Sequence, residues 1–190
     1  MGEEQSPMEN MVEIEMYNSE FWNGKKVYLT GHTGFKGSWM SLWLQSMGAI
    51  VKGFSLEPNT TPNLFTVANV GTAMDSEIGD IRDLNHIISS MVSFNPEVLI
   101  HMAAQPLVRA SYDDPVATYQ TNVMGTVNVL EACRHTPRVR AIVAITTDKC
   151  YENYELSRGY VEDDRLGGYD PYSASKAGSE LVAASYRRAF

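Results

Sequence analysis

The stretch Val27-Tyr28-Leu29-Thr30-Gly31-His32-Thr33-Gly34-Phe35-Lys36-Gly37-Ser38-Trp39 leaves this chain few ways to fold. An apolar run of β-formers ends in three glycines, and an amphipathic helix pattern begins at once. The order is strand, tight turn, helix start. Backbone N–H groups at a helix N-terminus hold a pyrophosphate without any basic side chain, provided that no Cβ keeps it away. Gly31 permits the sharp exit from the strand, Gly34 the approach of phosphate, and Gly37 close packing of helix on strand. The spacing is G-x-x-G-x-x-G rather than G-x-G-x-x-G, and three glycines at a strand end also fit a plain loop. The helix argues against the loop. Gly37, Met40, Leu44 and Met47 share one face with Trp43 beside them, and Gly48 stops it.

Strands and helices then alternate. Strands are predicted at Lys26 to Thr30, Ala49 to Phe54, Met74 to Ile78, Val98 to Met102 and Ala141 to Thr146, the last two buried on both faces. Helices are predicted at Phe35 to Met47, Leu64 to Asn69 and Asp83 to Phe94, with the stripe Leu84, Ile87, Ile88 and Met91. A long helix opens at Asp114-Pro115 and runs to about His135, and a last one runs from Pro171 to Phe190. Pro58 to Pro62 reads as a turn and Asp148 to Asp170 as a tyrosine-rich loop. The pattern is α/β, a doubly wound parallel sheet of Rossmann type, with ligands beyond the C-terminal strand ends.

A net charge of −8 argues against nucleic acid or an anionic membrane as partner, and no apolar run reaches spanning length. The polar, acidic residues Met1 to Glu20 read as a mobile tail and not as a signal or transit peptide, leaving 21–190 as the folded domain. Cys133 and Cys150 form no framework, which fits a reducing compartment such as the cytoplasm. The histidines are scattered, and no metal site is expected.

An acid about 20 residues beyond the glycines reads the ribose in NAD binders. Ser55 stands there, with Glu57 two residues on, Lys52 nearby and no arginine in that stretch, so NAD is expected over NADP. Asp80 is placed to bond the adenine while Ile81 covers the ring; capping of the next helix is the other reading of Asp80. Tyr172 and Lys176 stand at i and i+4, one turn apart on one helix face. A phenol of pKa about 10 is a poor base until a neighbouring ammonium favours its phenolate. Such pairs are also common surface decoration. Thr147, Asp148 and Lys149 follow a strand and offer a hydroxyl, an acid and an amine there; a plain polar loop is the alternative.

Taken jointly, Thr30-Gly31-x-x-Gly34-Phe35-x-Gly37, Gly79-Asp80-Ile81, His101-x-Ala103-Ala104-Gln105, Thr121-Asn122-x-x-Gly125-Thr126 and the Tyr172/Lys176 pair resemble extended short-chain dehydrogenase/reductases acting on nucleotide sugars. Gly31 through Trp39, Met102 through Arg109, Thr147 through Tyr151 and Gly167 through Ser173 resemble more narrowly the CDP-glucose branch of their 4,6-dehydratases. The resemblance implies tightly held NAD, contacted by Gly31, Thr33, Gly34, Phe35, Lys36, Gly37, Ser55, Asp80, Ile81, Ala103, Ala104, Gln105, Asn122, Tyr172 and Lys176. It implies catalysis by Thr147, Asp148, Lys149, Tyr172 and Lys176. Tyr172 would take the proton of the sugar 4-hydroxyl as hydride leaves for NAD, and the new ketone would acidify carbon 5. Asp148 would protonate the departing 6-hydroxyl, and hydride would return to carbon 6. Related dehydratases have glutamate where Lys149 stands, and a lysine base must be neutral to act.

The resemblance also implies a homodimer through the helices that Asp114 and Pro171 open. It implies a C-terminal substrate domain that is largely absent from this chain. A nucleotide-sugar 4-epimerase and a non-catalytic NAD-binding fragment are the competing expectations.

Overall fold

The computed structural model describes residues 19–190. Most of the expected tail, residues 1–18, lies outside the described residues, and Ser19 and Glu20 open a short helix, α1 (Ser19–Trp22). Five strands form one parallel sheet: β1 (Lys26–Thr30), β2 (Ile50–Ser55), β3 (Asp75–Ile78), β4 (Val98–His101) and β5 (Ala141–Ala144). Their spatial order is β3-β2-β1-β4-β5. That is the Rossmann order, whose reversal beside β1 opens a crevice at the strand ends.

Alternation along β1 divides the core. Val27 and Leu29 face one layer with Leu44, Met47, Val51 and Ile100, and Tyr28 faces the other with Phe54, Ile87, Met91 and Val129. Helix α2 (Phe35–Ser46) lies on the first face. Its buried stripe is Gly37, Ser38, Ser41 and Leu44, and Trp43, expected beside the apolar face, is 43% exposed. The small serines at the buried positions let this helix sit close to the sheet.

Between β2 and β3 lie α3 (Leu64–Val67) and a 3₁₀ turn, Val70–Ala73. Helix α4 (Leu84–Phe94) is capped by Asp83, buries Ile87 and Met91, and ends at Asn95 in a left-handed conformation. A helix that the sequence pattern did not reveal, α5 (Val108–Asp113), follows β4. The expected long helix is three segments: α6 (Pro115–Tyr119), a π-helical turn Gln120–Met124, and α7 (Gly125–Arg134). Asp114 caps it and Pro115 is its first residue, as expected.

Strand β5 departs from expectation in both length and burial. It stops at Ala144, and Ile142 and Val143 are 44% and 48% exposed. Apolar composition gave the expectation of a buried strand; among the described residues β5 pairs with β4 alone, so it forms an edge. Helix α8 (Pro171–Ala189) is capped by Asp170, which accepts from the backbone N–H and the hydroxyl of Ser173. Among the described residues no helix is long and apolar enough to cross a membrane.

Candidate functional site

A cavity of about 500 Å³ lies beyond the C-terminal ends of the strands. That is the size range of small-molecule sites. The glycine turn forms one wall, and Ser55 to Asn59 and Gly79 to Arg82 form the end beyond β2 and β3. Met102, Ala103, Ala104, Pro106 and Thr121 form the middle, and Ile145, Thr146, Tyr172 and Lys176 form the far end.

Geometry gives the glycines distinct tasks. Gly31 has φ +79°, and a Cβ there would lie 2.7 Å from the backbone nitrogen of Ala103. A Cβ on Gly37 would lie 2.0 Å from the carbonyl oxygen of Gly31, so this glycine packs α2 on the turn itself rather than on the strand. Gly34 is different. Its φ is −73°, and a Cβ would meet only the Gly31 oxygen, at 3.4 Å. Gly34 is also the N-cap of α2 and makes no side-chain cap, whereas Asn63, Asp83, Asp114 and Asp170 cap their helices. The first N–H groups of α2, which have no partner within the helix, are thereby left open to an anion.

At the β2–β3 end, Thr33 is buried, and its hydroxyl donates to the carbonyl of Leu56 at 2.7 Å and lies 2.8 Å from Ser55 Oγ. Asp80 does not cap α4; Asp83 does. Instead Asp80 accepts from the backbone N–H of Arg82 and from its guanidinium, the closest contact being 2.6 Å. That ion pair holds the Asp80 carboxyl below the usual carboxylate range. An arginine therefore does line this end, delivered by β3 pairing with β2 through Ser55 and Ile78. Lys52 lies elsewhere, 2.8 Å from both Asp75 and Glu77. Ile81 is only 4% exposed and belongs mainly to the core.

A buried polar chain joins the strand side to α8. Thr30 Oγ1 accepts from the N–H groups of Met102 and Ala103 at 3.1 Å and lies 2.7 Å from His101 Nδ1. His101 Nε2 lies 3.1 Å from Thr126 Oγ1, whose own proton goes to the carbonyl of Asn122. One assignment satisfies every member: His101 is neutral, donates through Nε2, and accepts from Thr30 at Nδ1. Asn122 continues the chain, accepting from Gln105 N–H and donating to Ser175 Oγ at 2.8 Å each. The Gln105 side chain braces its own loop, donating to Thr118 and to the carbonyl of Leu107.

Neither Asn122 nor Gln105 lines the cavity. Thr121, its neighbour on the π-helical turn, does. Their motifs carry the right residues, but facing is set by contacts 17 positions apart. Ala103 and Ala104 do line it.

Tyr172 and Lys176 share the cavity with the glycine turn. Lys176 is 7% exposed and donates to the carbonyl of Ile145 at 3.1 Å; burial lowers its pKa and Glu180 opposes that shift. Thr146 donates to Glu180 in a short contact, a pairing that no sequence pattern announced. A 3₁₀ turn, Asp148–Cys150, lies just past Thr146, and Thr147, Asp148 and Lys149 stand outside the lining. Thr147 there bonds Asp148 at 3.1 Å and caps the turn.

His32, within the glycine turn, is fully buried, with Nε2 2.7 Å from Ser76 Oγ and Phe65 edge-on. Burial lowers its pKa to about 4, and burial together with Lys176 lowers that of His101 to about 3. An unfolded imidazole takes up its proton near 6.5. Below that pH the unfolded chain binds more protons, so stability falls as pH falls. Each histidine is expected to remove about 1 kcal/mol per pH unit between pH 6 and 5, the His32 share fading as pH nears its folded pKa of about 4. Urea unfolding at pH 7, 6 and 5 measures this; a flat profile would mean that the folded protein accommodates both charges.

The GDP-mannose 4,6 dehydratase family matches residues 29–190. A CDP-glucose 4,6-dehydratase of Salmonella typhimurium is 54% identical over 92% of this chain and 49% of its own length. A dTDP-glucose 4,6-dehydratase of Streptomyces venezuelae, solved with NAD, superposes with a TM-score of 0.74 at 27% identity, covering 86% of this chain and 52% of that one. A UDP-glucose 4-epimerase of Brucella ovis, also solved with NAD, gives a TM-score of 0.75 at 27% identity, over 88% and 49%. The chain thus spans about half the length of the curated relatives it matches.

Proposed function

The chain belongs to the GDP-mannose 4,6-dehydratase family, and from that membership we propose that it is the NAD-binding half of a CDP-glucose 4,6-dehydratase. The observation carrying the proposal is one cavity that joins a glycine turn, an uncapped helix N-terminus and the Tyr172/Lys176 pair. NAD fits that cavity. Gly31, Gly34 and Gly37 would take its diphosphate, Ser55 and Asp80 its adenosine, and Ala103, Ala104, Tyr172 and Lys176 its nicotinamide end. When bound, NAD supplies a hydride acceptor and returns the hydride later.

The rest of the chemistry falls to side chains. Tyr172 takes the proton of the sugar 4-hydroxyl as a phenolate that the Lys176 ammonium favours beforehand, and it ends the step as a neutral phenol. The 4-ketone makes the hydrogen on carbon 5 acidic. Asp148 gives its proton to the departing 6-hydroxyl, with Thr147 orienting it, and Lys149 in its neutral form removes the carbon-5 proton and gives it back to carbon 5 as hydride reaches carbon 6. Homodimerisation through α6, α7 and α8, and residence in the cytoplasm, complete the proposal.

A form as long as the curated relatives, incubated with CDP-glucose and NAD, is expected to give a 4-keto-6-deoxy sugar, seen by its absorbance in alkali. No product from any CDP-sugar would end the reading. The likeness to 4-epimerases supports a second reading, because epimerisation needs the tyrosine–lysine pair but no acid. Asp148→Asn decides between them: elimination should fall by at least about a hundredfold, whereas an epimerase would be little changed.

A further inference from the structure

We propose that Thr33 makes Ser55 a pure hydrogen-bond acceptor, and that this two-hydroxyl relay, rather than a carboxylate, selects NAD over NADP; the inference rests on the NAD reading above. The argument is a count of protons. A hydroxyl has one proton to give. That of Thr33 goes to the Leu56 carbonyl at 2.7 Å, so the 2.8 Å contact between Thr33 and Ser55 is filled by the Ser55 proton. Both residues are more than nine-tenths buried, Thr33 at 7% and Ser55 at 9% exposed, and both border the cavity. Neither rotates to water at no cost, so the direction is fixed by the fold.

Ser55 then offers the cavity lone pairs only. A ribose 2′-hydroxyl donates to it well. A 2′-phosphate, which needs donors, meets an oxygen with none to give. An acidic residue at this place would discriminate in the same way, by accepting and by repelling. Here the acceptor character is borrowed from a backbone carbonyl, and no charge is buried. Arg82 lines the same end but is held by Asp80, so its charge is already matched.

The test is calorimetric binding of NAD and of NADP to the 190-residue chain. Wild type should prefer NAD by at least about tenfold, since one well-made hydrogen bond is worth about that much. Thr33→Val leaves the Ser55 proton without its acceptor and turns it toward the ligand, so the preference should collapse to within about threefold. Thr33→Ser restores the hydroxyl and should restore the preference. Should Thr33→Val not fold, Ser55→Ala gives the same answer: NAD binding weakens, NADP binding does not, and the ratio shrinks.

An unchanged ratio in a folded Thr33→Val or Ser55→Ala chain that still binds NAD would overturn the relay and leave the NAD reading standing. Equal wild-type binding of the two dinucleotides would do the same. Binding of neither would overturn both.

Discussion

Gly37→Ala is expected to cost about 3 kcal/mol of folding stability and to abolish dinucleotide binding. The new methyl would sit 2.0 Å from the carbonyl oxygen of Gly31, with the Gly31 carbonyl carbon and His32 Cα also under 3 Å. All three are backbone atoms, so no side chain can swing aside. Alanine's better helix propensity returns about 1 kcal/mol, which is too little to compensate. Gly34→Ala is the informative partner. Its Cβ meets a single atom at 3.4 Å, and its φ of −73° suits alanine. Stability should stay within about 0.5 kcal/mol of wild type, while binding weakens because the methyl stands where phosphate must approach. Urea unfolding and calorimetric NAD binding on both variants measure the two effects. Equal losses of stability would mean that the turn is built otherwise.

Tyr172→Phe, in a form as long as the curated relatives, should lower kcat by about a hundredfold to ten-thousandfold with little change in NAD affinity. The phenol is the one group proposed to take the 4-hydroxyl proton, and it stands in the wall shared with Lys176. Lys176→Met should weaken both turnover and binding, because that ammonium also bonds the Ile145 carbonyl that shapes the wall. Steady-state kinetics beside NAD titration separate the two. Full activity in Tyr172→Phe would remove the proton acceptor from the scheme.

Local sequence carried a great deal of this. β1 has the expected limits, and the β1–turn–α2 unit falls where the glycine spacing put it, because each part is fixed by residues a few positions apart. The cap at Asp114, with Pro115 behind it, was legible for the same reason, whereas Asp83 and not Asp80 caps α4. What escaped depends on distant neighbours. Ile142 and Val143 read as buried, yet a strand is covered only if something pairs with and packs on it. Gln105 and Asn122 stand in family motifs, but the Asn122 side chain turns to the Gln105 backbone and Ser175, and the Gln105 side chain to Thr118 and its own loop, not toward the cavity. The link between Thr33 and Ser55 joins positions 22 apart, and Thr146 meets Glu180 across 34. No periodicity reports such pairs.

The chain Thr30–His101–Thr126–Asn122 joins the two sides of the crevice through neutral groups alone. Dissolved salt weakens attraction between exposed charges and leaves bonds between buried uncharged groups almost untouched. The crevice walls should therefore keep their shape from dilute buffer to concentrated brine. Any loosening would start at its rim, where Asp80 grips Arg82.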